Sequence, residues 1–210
     1  MQLTNEWYYF IGAIDKKTCT KIIELGDGFL DKAEVDQHKG ITKKERKTGR
    51  KVSIKSDTKI RISDIKWLDN QWVYDLVFPY MTTANKEAGW LFDIKSAETP
   101  QLTKYKKEGF YSWHADGRAD HLSVYDSSKG KFLDGYVRKL SMSILLNEDF
   151  GGGNFQFINV YNGKIKIQTP DFKGTGSIIV FPSCIEHRVA PITRGTRYSL
   201  VTWFLGPPFV

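Results

Sequence analysis

Between Gln101 and Leu205 the chain breaks into short runs of mixed apolar and polar residues, set apart by glycine, proline, asparagine and aspartate. The runs are Gln101 to Tyr105, Tyr111 to Ala115, Arg138 to Leu146, Asn154 to Ile158, Lys164 to Gln168, Ser177 to Phe181, Ile185 to Val189 and Arg197 to Leu205. Such runs, separated by turn residues, read as strands. So many of them, with no repeated unit, predict an antiparallel barrel or a double-sheet jelly roll. The stretch from Gly117 to Gly135 has little apolar pattern and is expected to be a long loop beside Asp116.

The first hundred residues read as support for that core. A short aromatic strand is expected at Trp7 to Ile11, then a helix capped by Asp15 with Cys19, Ile22 and Ile23 on one face and Gly26 and Gly28 at its end. Alternation through Val52, Ile54, Ile60, Ile62 and Ile65 suggests a strand or hairpin. From about Gln71 to Ala88, Val73, Leu76, Val77, Tyr80, Met81 and Ala84 recur at helical spacing, and Gly89 follows as a stop. At 210 residues one core suffices, so residues 1–210 are expected to form a single domain, with 1–99 as support and 100–206 as the β core.

Charge and composition narrow the partners. The net charge of +7 favours acidic or nucleic-acid partners. Eight lysines or arginines and one acid, Glu45, fall between Lys39 and Lys55, which reads as a basic loop, either solvated or gripping a substrate. The apolar stretches are too short to span a bilayer, and the N-terminus lacks the basic and apolar regions of a secretory signal, so a cytoplasmic setting is the expectation. Cys19 and Cys184 are expected to be reduced thiols.

His114 and Asp116 lie two apart in an expected strand, so their side chains share a face and can converge on one ion. His187, in a strongly apolar run, is either a hydrogen-bonded core histidine or a third ligand. Two histidines and a carboxylate make a facial triad that leaves open positions on iron(II). The same donors could hold zinc, although no H-E-x-x-H pattern is present and a structural zinc site usually takes a fourth protein ligand. Arg197 follows His187 by ten residues, across Pro191 and Gly195. If the chain turns there as a hairpin, Arg197 comes within about 7 Å of His187 along the sheet, the span of a five-carbon diacid. Its guanidinium suits a carboxylate, and Ser199 on the same face offers a hydroxyl.

Together these pieces resemble the 2-oxoglutarate and iron(II) oxygenase superfamily, and within it the prolyl 4-hydroxylase-like branch. The resemblance runs over residues 100 to 206, through YKKEGFYSWHAD, RKLSMSILLN, GGGNF and GSIIVFPSCIEHRVAPITRGTRYSLVTWF, and extends upstream to Arg61 and Ser63 in IRISDIKWL. It implies a double-stranded β-helix of the cupin-like, jelly-roll kind, buttressed by the N-terminal helices. His114, Asp116 and His187 would be iron ligands, Arg197 the partner of 2-oxoglutarate, and Tyr105 a hydroxyl in the cosubstrate pocket. Tyr111, Trp203 and Arg138 would line the substrate cavity. Four positions depart from the pattern: Arg197 where collagen-type relatives carry lysine, Leu145 where many carry tyrosine, and Asn154–Phe155 where Glu-Thr is usual. None is itself a residue of the triad.

The implied reaction consumes 2-oxoglutarate and O2, releases succinate and carbon dioxide, and hydroxylates a prolyl residue of a protein or peptide; ascorbate is a habit of the family. A related reading keeps these cofactors and takes a nucleic-acid base as substrate, since the positive charge and aromatics suit a phosphate backbone and an unstacked base. A third is a non-catalytic, cupin-like metal-binding module. The sequence carries no signal for oligomeric state.

Overall fold

The computed structural model describes residues 5–28, 30–33, 60–117, 124–125, 133–161 and 164–209. The basic run 39–55 and most of the expected loop 117–135 lie outside these residues. In chain order the elements are β1 (Tyr8–Phe10), α1 (Lys16–Glu24), β2 (Asp31–Lys32), β3 (Arg61–Ile62), β4 (Asp64–Trp67), α2 (Gln71–Glu87), β5 (Ser96–Ala97), β6 (Gln101–Tyr105), β7 (Phe110–His114) and β8 (Val137–Leu145). There follow β9 (Phe150–Gly152), β10 (Phe155–Tyr161), β11 (Lys164–Gln168), β12 (Ile178–Pro182), β13 (His187–Val189), β14 (Ile192–Gly195) and β15 (Arg197–Gly206).

Both helices form where apolar spacing and capping agree. The Asp15 carboxylate accepts the Thr18 N–H at 2.9 Å, closing the first turn of α1. Cys19 and Ile22 are buried on one side of α1, and Val73, Val77, Met81 and Ala84 on one side of α2. That stripe packs on an eight-stranded sheet of order β1-β12-β8-β15-β6-β4-β2, with β5 on the edge of β15. A second sheet, β11-β10-β13-β7-β3, and a β14-β9 pair complete the two-sheet β architecture expected from the sequence.

The alternation within the central strands separates two cores. Leu140, Met142 and Ile144 of β8, Ile178 and Val180 of β12, and Leu200 and Phe204 of β15 face the helices. Their neighbours point between the sheets, where Tyr105, Leu145, Ile179 and Phe181 meet Phe155, Phe157, Val189 and Ile192 from the other side. The same inward face carries Thr103, Ser141, Ser143 and Ser199, all buried.

One expectation is corrected. β13 and β15 do not form a hairpin: β13 pairs with β10 and β7 in the second sheet, β14 pairs with β9, and β15 lies between β8 and β6 in the first. Pro191 and Gly195 mark turns, but the turns carry the chain across from one sheet to the other. Arg197 therefore belongs to the first sheet and His187 to the second, and the two do not lie along a shared sheet. The expected strand 185–189 shortens to His187–Val189, and β5, β9 and β14 are short additions.

Candidate metal centre

β7 and β13 are antiparallel, with His114 directly opposite His187. The register slips between that pair and the next, Val189 opposite Tyr111. This irregularity puts Tyr111 on the inward face together with His114, and the two rings stack at 3.5 Å with 16° between their planes. The imidazole rings of His114 and His187 lie 4.2 Å apart. Asp116 sits just beyond the end of β7, and its two oxygens approach His114 Nε2 at 3.6 Å and His187 Nε2 at 3.5 Å. One ligand atom from each residue falls within 4.8 Å of the others.

Hydrogen bonds fix which nitrogens face inward. Nδ1 of His114 lies 2.7 Å from the Ser112 carbonyl, and Nδ1 of His187 lies 2.9 Å from that of Ile185. A carbonyl only accepts, so Nδ1 carries the proton in each neutral ring and Nε2 presents a lone pair. Burial pushes the pKa of His187 down to about 4, more than the nearby Asp116 charge raises it, so the ring is neutral at pH 7. Burial works to raise the Asp116 carboxyl, but the His187 and His114 imidazoles beside it outweigh that and hold it well below the usual carboxylate range. With both Nδ1 atoms engaged by carbonyls, the two Nε2 atoms face the Asp116 carboxylate. A divalent cation satisfies that arrangement, and two imidazoles with one carboxylate fit iron(II).

The surroundings exclude water on one side. Phe155, Phe157 and Phe181 lie 5.4, 6.3 and 4.6 Å from the His187 ring, and Trp7 stacks on Phe157 at 4.8 Å. No periodicity in the sequence singled out these three phenylalanines as the wall of one ring, because they come from two strands in different sheets.

Arg197 is the largest fully buried side chain among the described residues, 1% exposed. Its Nη1 donates to Ser199 Oγ at 3.0 Å, its guanidinium lies 5.6 Å from the Tyr105 ring on the paired strand, and its Nη2 has no partner among the described residues. No carboxylate forms a salt bridge with it among those residues. It lines a cavity of about 190 Å³ with Leu145, Phe155 and Phe172, and Phe155 also packs on His187. A buried guanidinium with an idle donor and no anion is costly by several kcal/mol unless a ligand supplies the charge. Tyr105, Ser199 and Arg197, named from sequence, are thus brought together.

The remaining residues named from sequence divide. Tyr111 is packed between His114 and the Arg61 guanidinium, which lies 4.6 Å from its ring, and burial pushes the Tyr111 phenol up to about 12. Arg61 donates to Ser63 Oγ and Gln101 Oε1 at 2.7 and 3.0 Å. Trp203 is buried under Arg138, whose guanidinium lies 4.2 Å from its ring, and the indole N–H finds no acceptor among the described residues. Arg138 itself is engaged by Glu98, a residue the sequence did not flag, through Nε at 2.5 Å and Nη2 at 2.6 Å.

The comparisons with known proteins agree with this geometry. The family model of the 2OG-Fe(II) oxygenase superfamily matches residues 100–205, the span that carries the triad and Arg197. A PKHD-type hydroxylase of Xylella fastidiosa (strain M12) is 30% identical over 106 residues, covering 50% of this chain and 43% of that protein. The match therefore spans less than half the length of that relative. The crystal structure of a Pseudomonas putida prolyl-4-hydroxylase superposes with a TM-score of 0.63 at 19% identity, covering 96% of this chain and 92% of that one. A prolyl hydroxylase from Trichoplax adhaerens, solved in complex with a hypoxia inducible factor oxygen degradation domain peptide fragment, superposes with a TM-score of 0.60 at 14% identity, covering 96% and 84%. With half of its length matched by the family model and the whole fold shared, this chain belongs to the 2OG-Fe(II) oxygenase superfamily.

Proposed function

We propose that the protein is an iron(II)- and 2-oxoglutarate-dependent dioxygenase that hydroxylates prolyl residues of a protein or peptide. The observation that carries the reading is Arg197, a fully buried guanidinium without a carboxylate partner among the described residues, in the same interior as the His–Asp–His cluster. A dicarboxylate cosubstrate supplies the anion that such a cation lacks.

In this reading His114, Asp116 and His187 hold iron(II), which when bound supplies the site for coupling oxygen reduction to oxidative decarboxylation of 2-oxoglutarate and substrate hydroxylation. Arg197 binds the distal carboxylate through a forked pair of hydrogen bonds, with Ser199 fixing the orientation of the fork and Tyr105 beside it. Phe155, Phe157 and Phe181 exclude water behind His187, which limits wasted oxidant. Tyr111 and Trp203 form apolar walls that accept a pyrrolidine ring. Atoms balance: one O2 and one 2-oxoglutarate give succinate, carbon dioxide and one hydroxyl on the substrate.

The name of the sequence relative supports a hydroxylation, and the prolyl hydroxylase names of the superposed structures support a prolyl substrate. The test is mass spectrometry of proline-rich peptides incubated with protein, iron(II), 2-oxoglutarate and O2, with succinate measured in parallel. A gain of one oxygen on proline, with one succinate per hydroxyl, is expected. Succinate that rises only with single-stranded nucleic acid would replace the prolyl substrate by a base, and no succinate under any condition would leave a metal-binding module.

A further inference from the structure

The two histidines and the aspartate of the triad are held in different ways. His114 and His187 sit on paired strands, so ladder hydrogen bonds fix their backbone. Asp116 lies past the end of β7, where no ladder holds it. Among the described residues two other contacts hold its backbone: the Gly117 N–H donates to the Ser183 carbonyl at 3.0 Å, and the Arg138 Nη1 donates to the Asp116 carbonyl at 3.1 Å. Arg138 is in turn clamped by Glu98, whose two carboxylate oxygens take its Nε and Nη2. Tyr125 donates to the same carboxylate at 2.7 Å, and the Glu98 N–H donates to the Trp203 carbonyl at 2.8 Å.

We propose that Glu98 is a positioning residue for the metal-binding carboxylate, acting through Arg138. The inference rests on the reading that the triad binds a metal. The bidentate contact fixes both the plane and the rotamer of the guanidinium, and only one plane lets Nη1 reach the Asp116 carbonyl while the flat face covers Trp203. Arg138 therefore does not act as a free cation at the cavity wall. Its donors to Glu98 and Asp116 join the turn after β5, β8 and the end of β7 into one unit. Outer contacts of this kind commonly change metal affinity by about 10–100-fold.

The experiment is anaerobic calorimetric titration of the metal-free protein with cobalt(II), with thermal unfolding of each variant recorded alongside. Glu98→Gln keeps the shape and removes the charge that holds the fork. We expect cobalt(II) to bind it about 10–100-fold more weakly than wild type. In an Asp116→Ala background, where only the two histidines remain, the same change is expected to have no further effect, because its route runs through Asp116. An unchanged affinity in the wild-type background overturns the proposal, even if the unfolding temperature falls. An equal loss in the Asp116→Ala background also overturns it, since Glu98 would then act as a distant charge. If Glu98→Gln does not fold, Arg138→Lys takes its place with the same expectation, because an ammonium cannot fork onto Glu98 and reach Asp116 together. Wild-type protein that binds no cobalt(II) rejects the triad reading itself, an outcome distinct from either of these.

Discussion

Replacing Arg197 with methionine separates the cost of a buried charge from its use. Among the described residues the guanidinium has one hydrogen bond, to Ser199, and no anion. Its loss forfeits that bond, about 1 kcal/mol, but removes a desolvation penalty that in other buried ion sites makes an apolar replacement neutral or stabilising by about 1–4 kcal/mol. The ligand-free variant is therefore expected to unfold at the wild-type temperature or above it. With 2-oxoglutarate the sign reverses. Two charge-assisted hydrogen bonds at about 1.5–3 kcal/mol each disappear, and allowing for incomplete alignment the affinity falls by about 100–1000-fold. Thermal unfolding with manganese(II) as a redox-stable metal, across a 2-oxoglutarate series, reads both effects. Wild type shifts upward with 2-oxoglutarate and Arg197→Met does not. A ligand-free variant destabilised by several kcal/mol would refute the claim that the guanidinium lacks a partner, and an unchanged 2-oxoglutarate shift would refute the claim that it binds the cosubstrate.

Three further outcomes are expected. His114→Ala, Asp116→Ala and His187→Ala each abolish 2-oxoglutarate turnover, and a variant with wild-type succinate formation leaves the ligand set. Gly153 has a φ of +66°, and a Cβ there would lie 2.5 Å from Ile192 Cδ1 and 3.1 Å from Arg197 Cδ; Gly153→Ala is expected to cost about 1–3 kcal/mol in denaturant unfolding and to weaken 2-oxoglutarate binding, and a neutral result contradicts the packing against Arg197. The metal-free protein should lose stability as pH falls from about 6.5 toward 4, because the unfolded chain binds a proton at His187 that the folded one refuses until its pKa of about 4; a flat profile in urea unfolding over that window, or the same slope in His187→Gln, contradicts it.

The sequence made the donors legible and left their arrangement open. His114 and Asp116 share a face because they are two apart, and the Asp15 cap and the Val73–Val77–Met81–Ala84 stripe define helices by local rules alone. The path from His187 to Arg197 is not local. Pro191 and Gly195 end strands whether the chain then turns back on itself or crosses to the other sheet, and the choice is made by pairing with β9 and β8, whose residues lie 40 or more positions upstream. The register slip that turns Tyr111 onto His114 is likewise set by the partner strand. Glu98 gave no signal because one acid between two short strands reads as a solvated turn; its meaning comes from Arg138, 40 residues away. The pattern Arg61-x-Ser63, by contrast, was visible, and the structure shows the two side chains bonded to each other.

The central claim is that one interior holds both the metal triad and the 2-oxoglutarate guanidinium. Anaerobic titration of the metal-free protein with iron(II) and 2-oxoglutarate, followed by visible absorption, tests it directly. The account predicts a weak charge-transfer band that needs both additions, reaches one equivalent of each, and in Arg197→Ala appears only at much higher 2-oxoglutarate. Iron binding without that band, at any 2-oxoglutarate concentration, would contradict it.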